Sequence, residues 1–317
     1  MNAFVVLQQM LVLFVMMSLG YLLYKKKWVD DHSAASLSKI VVNVFNPVLV
    51  INGVLNQNQS SDGKLVLENL KFVIFYYALL IVVGMIVTRF VASRREERNH
   101  YQLMFVFSNV GFMGIPVMTS IFGQGCMIYI TFYILGYNLL LYTYGIYLAQ
   151  KGQSIDDTKK NTVECHGLRT RVLGICNPGV VASIIAIIIY LGQIQLPMAC
   201  NTFFNYVGNS TIPLSMLIIG ISVAKMPLQD IFKDVRMYVF LAIKMLIVPI
   251  ACAIGMARLQ TDSIIFAVFI LMLAMPVGSI VTMIAKEYGQ DEGPCSRGII
   301  LTTLMSIITI PFVSLFL

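Results

Sequence analysis

Apolar residues run along this chain in ten stretches of roughly 20, the helix length that crosses a hydrocarbon core about 30 Å thick. They cover residues 3–24, 35–55, 70–90, 101–122, 127–149, 177–191, 203–224, 237–256, 264–286 and 298–317. Polar residues are confined to short connections, the longest of which, 150–171, separates five stretches from five. The pattern predicts an all-α integral membrane protein with a five-helix unit at 1–149, a linker at 150–171 and a second five-helix unit at 172–317.

The two units share a register. Asn43 and Pro47 recur 166 positions later as Asn209 and Pro213, Leu80-Ile81-Val82 as Leu246-Ile247-Val248, Gly123-Gln124 as Gly289-Gln290, and Tyr24 as Tyr190. Several matches at one displacement indicate an internal repeat. A unit with an odd number of spans ends on the side opposite its start, so the second copy enters the membrane upside down, which is the inverted-repeat plan of secondary transporters.

Composition agrees with the class: 58% of residues are hydrophobic, 12% are charged, and the mean hydropathy is +0.82. The charges orient the chain. Of 22 Lys and Arg residues, 17 fall in alternate connections that include the linker, against Lys64, Lys71 and Arg258 on the other side. The positive-inside rule then places the linker in the cytoplasm and both termini outside, in a multi-pass protein of the cell membrane. The net charge of +7 marks that cytoplasmic face and its lipid headgroups, with nothing that suggests nucleic acid. The first stretch lacks a basic leading segment and a small-residue cleavage site, so it is expected to be a retained helix. The six cysteines, at 126, 165, 176, 200, 252 and 295, form no CxxC pair and are expected to be free thiols. Cys165, His166 and Cys176 do not complete a tetrahedral metal site.

Helix-breaking residues gather at membrane depth in repeat-related places. The second and seventh stretches carry Asn43 to Pro47 and Asn209 to Pro213. The fourth carries Asn109, Gly111, Gly114 and Pro116, and the ninth carries Pro276, Val277, Gly278 and Ser279. Proline removes a backbone donor and glycine eases departure from helical geometry. Broken backbone persists at midplane only where it is buried in protein or lines a wet cavity, so the fourth and ninth helices are expected to be discontinuous and to meet at the centre. Their half-helix N-termini suit a carboxylate or other small anion there. Pro47 and Pro213 either line the site or only kink their helices, and Asn43, Asn46 and Asn209 either line it or join helices.

Away from the ends of the stretches, formal charge within the spans is limited to Lys39 and Lys244. Lys244, about 10 Å into the eighth span, either balances an anionic substrate, stands where a cation would otherwise bind, snorkels on its long stem, or bonds backbone carbonyls. Lys39, nearer the cytoplasmic end, is expected to snorkel and to attract anions to an inner vestibule. All fifteen carboxylates and His32, His100 and His166 fall in loops or at helix ends, so a proton relay has no obvious residue. Sodium could still be held by oxygens at the breaks, which leaves coupling open. Tyrosines 129, 133, 137, 142 and 144 run along the fifth helix with Asn138 and are read chiefly as packing.

Asn109-Val110-Gly111-Phe112-Met113-Gly114-Ile115-Pro116 is similar to the Asn-x4-Gly-Ile-Pro stretch of the auxin efflux carrier family, which includes plant auxin carriers and bacterial permeases. Met275-Pro276-Val277-Gly278, followed by Ala285-Lys286-Glu287-Tyr288, resembles that family's ninth helix and the loop after it. Pro213 to Gly220 is compatible with its seventh helix. The resemblance implies ten helices in two inverted repeats, as in sodium/bile-acid symporters, with helices four and nine crossing beside the substrate. It further implies elevator-type displacement of a transport domain against a scaffold that forms a homodimer, and substrate-carboxylate binding by Asn109. Two departures stand out: the linker is short, and Met275 occupies the place matching Asn109. An organic acid of the bacterial kind is therefore expected rather than auxin. The expected function is a carboxylate permease without an organic cofactor. The alternative is a membrane-embedded ligand sensor without net transport. No HExxH motif or paired buried acids point to an enzyme.

Overall fold

The structure, a computed structural model, describes residues 3–55, 63–92, 95–151, 178–225, 234–258, 261–287 and 293–317. Residues 152–171 of the expected linker, Cys165, His166 and Cys176, and the repeat match at Gly289-Gln290 lie outside the described residues.

Every regular element among the described residues is helical, as an apolar solvent requires of a backbone that must satisfy its own donors and acceptors. Among the described residues, seven helices are long and apolar enough to cross a membrane: Phe4–Lys25, Asp31–Leu55, Gly63–Val91, Gln124–Gln150, Met198–Ala224, Val235–Met256 and Gly293–Ser314. Val110–Phe122, Pro178–Gly192 and Ser263–Leu273 are shorter apolar helices. Each of these overlaps one predicted stretch, several running a few residues beyond it, but among the described residues only seven stretches form continuous helices of spanning length.

Several helix starts follow from local chemistry. Asp30 accepts from the Ser33 backbone N–H at 2.8 Å, Asp234 from Arg236, and Asp262 from both Ile264 and Ile265, each satisfying orphan donors of a first turn. The Ile115–Phe122 helix stops at Gly123, whose φ of 73° is open to glycine at little cost.

The second and seventh stretches, in which Pro47 and Pro213 either line the site or only kink their helices, are not broken. The second stretch continues from Asp31–Ile40 into Asn46–Leu55 through a wide five-residue turn at Val41–Phe45, with the Asn46 N–H bonding to the Val41 carbonyl. The wide turn precedes Pro47 and takes up its missing donor without ending the helix. Pro213 lies inside the unbroken Met198–Ala224 helix. Similar wide turns occur at Val110–Gly114, Leu141–Gly145 and Ile243–Ile247.

Packing places the helices in two groups. Ala3–Lys25, Asn46–Leu55, Pro178–Gly192 and Met198–Ala224 pack on one another. Glycines let Ala3–Lys25 and Met198–Ala224 touch backbone to backbone: a Cβ at Gly20 would strike the Leu217 carbonyl, and one at Gly220 the Met17 carbonyl. The second group surrounds Arg95–Val106 and Ser263–Leu273, where Leu103 through Phe107 and Phe269 through Met275 have no exposed surface. These two segments are apolar on all sides because protein covers them on all sides.

Candidate functional site

The fourth and ninth stretches are discontinuous, as their breakers predict. Arg95–Val106 ends before Ser108, and the chain resumes as the wide turn Val110–Gly114 and then Ile115–Phe122. Ser263–Leu273 ends before the segment preceding Ile280–Glu287. The two extended segments meet as an antiparallel bridge between Ser108 and Val277. The Asn109 N–H donates to the Pro276 carbonyl at 2.7 Å, and the Gly278 N–H to the Phe107 carbonyl at 2.9 Å. Each broken helix thus supplies hydrogen-bond partners that the other has lost. Glycine is needed at 278, because a Cβ there would sit 3.1 Å from the Phe107 oxygen and 3.2 Å from the Ser108 oxygen.

The Asn109 side chain is oriented by the turn it begins. Its Oδ1 accepts from the Phe112 N–H at 3.1 Å, an N-cap that occupies the acceptor end of the amide. Among the described residues nothing accepts from its Nδ2, and Asn109 lines a cavity of about 330 Å³. That volume lies at the small end of ligand cavities.

The cavity lies along the seam between the two packing groups. Ser38, Lys39, Asn43, Asn46 and Val50 line one side, with Pro178 and Gly179 beside them. Asn109 to Phe112, Tyr137, Asn138, Tyr142 and Gly278 to Ile280 line the other. Among the described residues the buried Asn46 Oδ1 has no hydrogen-bond partner, and its Nδ2 lies 3.9 Å from where a Gly111 Cβ would stand.

Four of the nine expected site residues, Asn109, Gly111, Gly278 and Ser279, line this cavity, and five do not. Gly114 packs against Met272, whose sulfur would lie 3.2 Å from an added Cβ. Pro116 is buried in the first turn of Ile115–Phe122. Pro276 contributes the carbonyl that holds Asn109, and the Val277 N–H donates to the Thr302 hydroxyl at 3.1 Å. These four sit behind the crossing because broken backbone needs partners as well as an open face. Lys244 is fully buried, and its Nζ donates to the Phe105 carbonyl at 2.8 Å and to the Ser108 hydroxyl at 2.7 Å. Of the readings left open for Lys244, bonding to a backbone carbonyl is what the geometry displays. His100, expected at a helix end, is buried within Arg95–Val106.

Tyr137 and Asn138 are lining residues that sequence reasoning did not put in the site, whereas Asn43 and Asn46, left open between lining it and joining helices, do line it. Asn43 and Asn46 stand three residues apart and share a helix face, which was the signal available. Among the described residues no three His, Cys, Asp or Glu side chains gather as a metal site, and Cys126, Cys200 and Cys252 form no disulfide.

Comparison with known proteins places these features in context. A family model described as membrane transport protein matches residues 5–314. An uncharacterized transporter of Methanothermobacter thermautotrophicus is 22% identical over 310 residues, covering 96% of this chain and 95% of its own. The uncharacterized transporter YfdV of Escherichia coli (strain K12) is 21% identical, covering 95% and 94%. A Rhizobium meliloti protein named "Putative malonate transporter" is 20% identical over 236 residues, covering 74% and 71%.

Proposed function

The chain belongs to the membrane transport protein family, as its auxin efflux carrier motifs imply, and from that membership we propose a secondary transporter that moves a small organic anion, a carboxylate, by elevator-type alternating access. It is a multi-pass membrane protein and not an enzyme.

The observation that carries the substrate class is the Asn109 amide. A carboxylate accepts hydrogen bonds and donates none, so its site needs donors. With Oδ1 engaged by Phe112, Asn109 offers its Nδ2 hydrogens to the cavity, and Lys39 adds a positive charge on the facing wall. The relative named for malonate supports an organic acid. Gly111 and Ser279 complete the proposed binding surface, while Gly114, Pro116, Pro276, Val277 and Lys244 hold its shape.

The elevator reading is supported by the place of the cavity on the seam, since sliding one packing group against the other would carry a bound anion with the crossing. Ten spans in two inverted repeats, a homodimer built on the group containing Met198–Ala224, and a cell-membrane location with a cytoplasmic linker and both termini outside belong to the same reading. The repeat matches and the distribution of basic residues support it.

The test is counterflow in proteoliposomes preloaded with unlabelled malonate or other mono- and dicarboxylates. Trans-stimulated uptake of the labelled acid is expected for wild type and not for Asn109→Ala. Carboxylate-dependent stabilisation without any counterflow would replace transport by ligand sensing.

A further inference from the structure

The last carbonyls of a helix have no N–H partner within it and carry partial negative charge. In carriers built on discontinuous helices, such half-helix C-termini and the unwound carbonyls beside them hold the coupling cation. Here both ends are met by side chains of the protein. At the end of Arg95–Val106, the Lys244 ammonium lies 2.8 Å from the Phe105 carbonyl, 2.7 Å from the Ser108 hydroxyl and 5.5 Å from the Phe105 ring centroid. At the end of Ser263–Leu273, the Tyr76 hydroxyl donates to the Met272 carbonyl at 3.3 Å. The two donors come from Val235–Met256 and Gly63–Val91, and Tyr76 lies two positions from Ala78, the residue that matches Lys244 at the repeat displacement.

We propose that Lys244 is a built-in cation that stands in place of a coupling sodium ion at the crossing, so that the transport cycle runs without sodium. The inference rests on the transport reading above. A carbonyl and a hydroxyl are the neutral oxygens that a hard cation would take. The ammonium brings the same single charge to them at hydrogen-bonding distance. It does not snorkel, because Lys244 has no exposed surface, and no Asp or Glu among the described residues is buried to pair with it. Its tether keeps the charge at the half-helix end whether the cavity is empty or filled. Lys244 does not line the cavity, so it is a positioning residue. It holds Ser108, whose backbone bridges to Val277 beside Asn109.

The test is the melting temperature of the detergent-purified full chain in equimolar sodium, potassium, choline and methylammonium chloride. Wild type is expected to melt at the same temperature in all four. Lys244→Ala is expected to melt about 5 °C lower in choline, and to regain at least half of that loss in sodium or methylammonium, which enter the vacated space. Lys244→Met fills the space without a charge and is expected to stay low in every salt. A sodium-specific rise in wild type overturns the proposal, as does a Lys244→Ala protein that responds to neither sodium nor methylammonium. If Lys244→Ala does not fold, the sodium comparison on wild type decides alone. No substrate is present in these melts, so a failure of carboxylate counterflow counts against the transport reading and leaves this result standing.

Discussion

The Thr211 hydroxyl donates a hydrogen bond to the Phe45 carbonyl at 3.1 Å, and the two residues stand 166 positions apart, the displacement at which the halves of the sequence match. Under the proposed inverted-repeat arrangement, residues beside the two-fold axis would touch their own counterparts. Asn109 and Pro276, 167 positions apart, bear nearly the same relation across the crossing. The bond also satisfies a carbonyl at the end of the wide turn Val41–Phe45, next to the wall of the cavity.

Thr211→Val keeps the side-chain shape and removes the hydroxyl. The expected loss is about 1 kcal/mol, seen as a melting temperature about 2–4 °C lower, with Thr211→Ser close to wild type. An unchanged melt for Thr211→Val would mean that water or another donor serves Phe45.

Two substitutions at Asn109 separate its cap from its donor. Asn109→Asp keeps an acceptor for the Phe112 N–H but replaces the amide donor with a negative charge, whereas Asn109→Ala loses both. Asp should therefore melt within about 1 °C of wild type and Ala about 2–4 °C lower. Neither should be stabilised by a carboxylate that stabilises wild type. Ligand-induced stabilisation retained in Asn109→Asp would remove the amide from the anion site.

Lys39 lines the cavity with no ion pair among the described residues. Lys39→Met is expected to raise the dissociation constant for a carboxylate about tenfold, equivalent to roughly 1.4 kcal/mol, with Lys39→Arg near wild type. Raising ionic strength should weaken binding to wild type more than to Lys39→Met. Equal salt dependence in the two proteins would return Lys39 to snorkelling.

Glycines at close helix contact should be far less tolerant than those facing open space. Gly220→Ala drives a Cβ into the Met17 carbonyl and is expected to cost about 1–3 kcal/mol. Gly255→Ala meets no atom within 4 Å and is expected to be neutral or slightly stabilising. Comparison of the yields and melts of the two variants checks this. Equal tolerance would show that Ala3–Lys25 can shift away from Met198–Ala224.

The crossing was legible in the sequence because Asn109, Gly111 and Gly114, and then Pro276 and Gly278, are residues that a continuous helix disfavours, concentrated where lipid forbids loose backbone. The cavity wall was less legible. Asn46 and Asn138 lie on helices, where an asparagine that faces a cavity and one that joins two helices look alike. Which face each turns inward depends on the wide turns at Val41–Phe45 and Leu141–Gly145, and no residue pattern at those places announces the extra residue. Whether Pro47 and Pro213 line the site or only kink their helices stayed open, because a proline states only that one donor is missing. The surrounding backbone decides whether the helix bends, widens or ends. The Lys244 partners were out of reach, since one is a main-chain carbonyl 139 positions away, and every residue type carries one.

The two backbone bonds that flank the Ser108–Val277 bridge act as a clasp with two points of attachment. A single bond would leave the broken helices free to swivel; two bonds on opposite sides of one bridge fix their angle as well as their separation. In the proposed elevator movement, residues 107–109 and 276–278 would therefore travel as one rigid piece, with the pivots elsewhere in the chain.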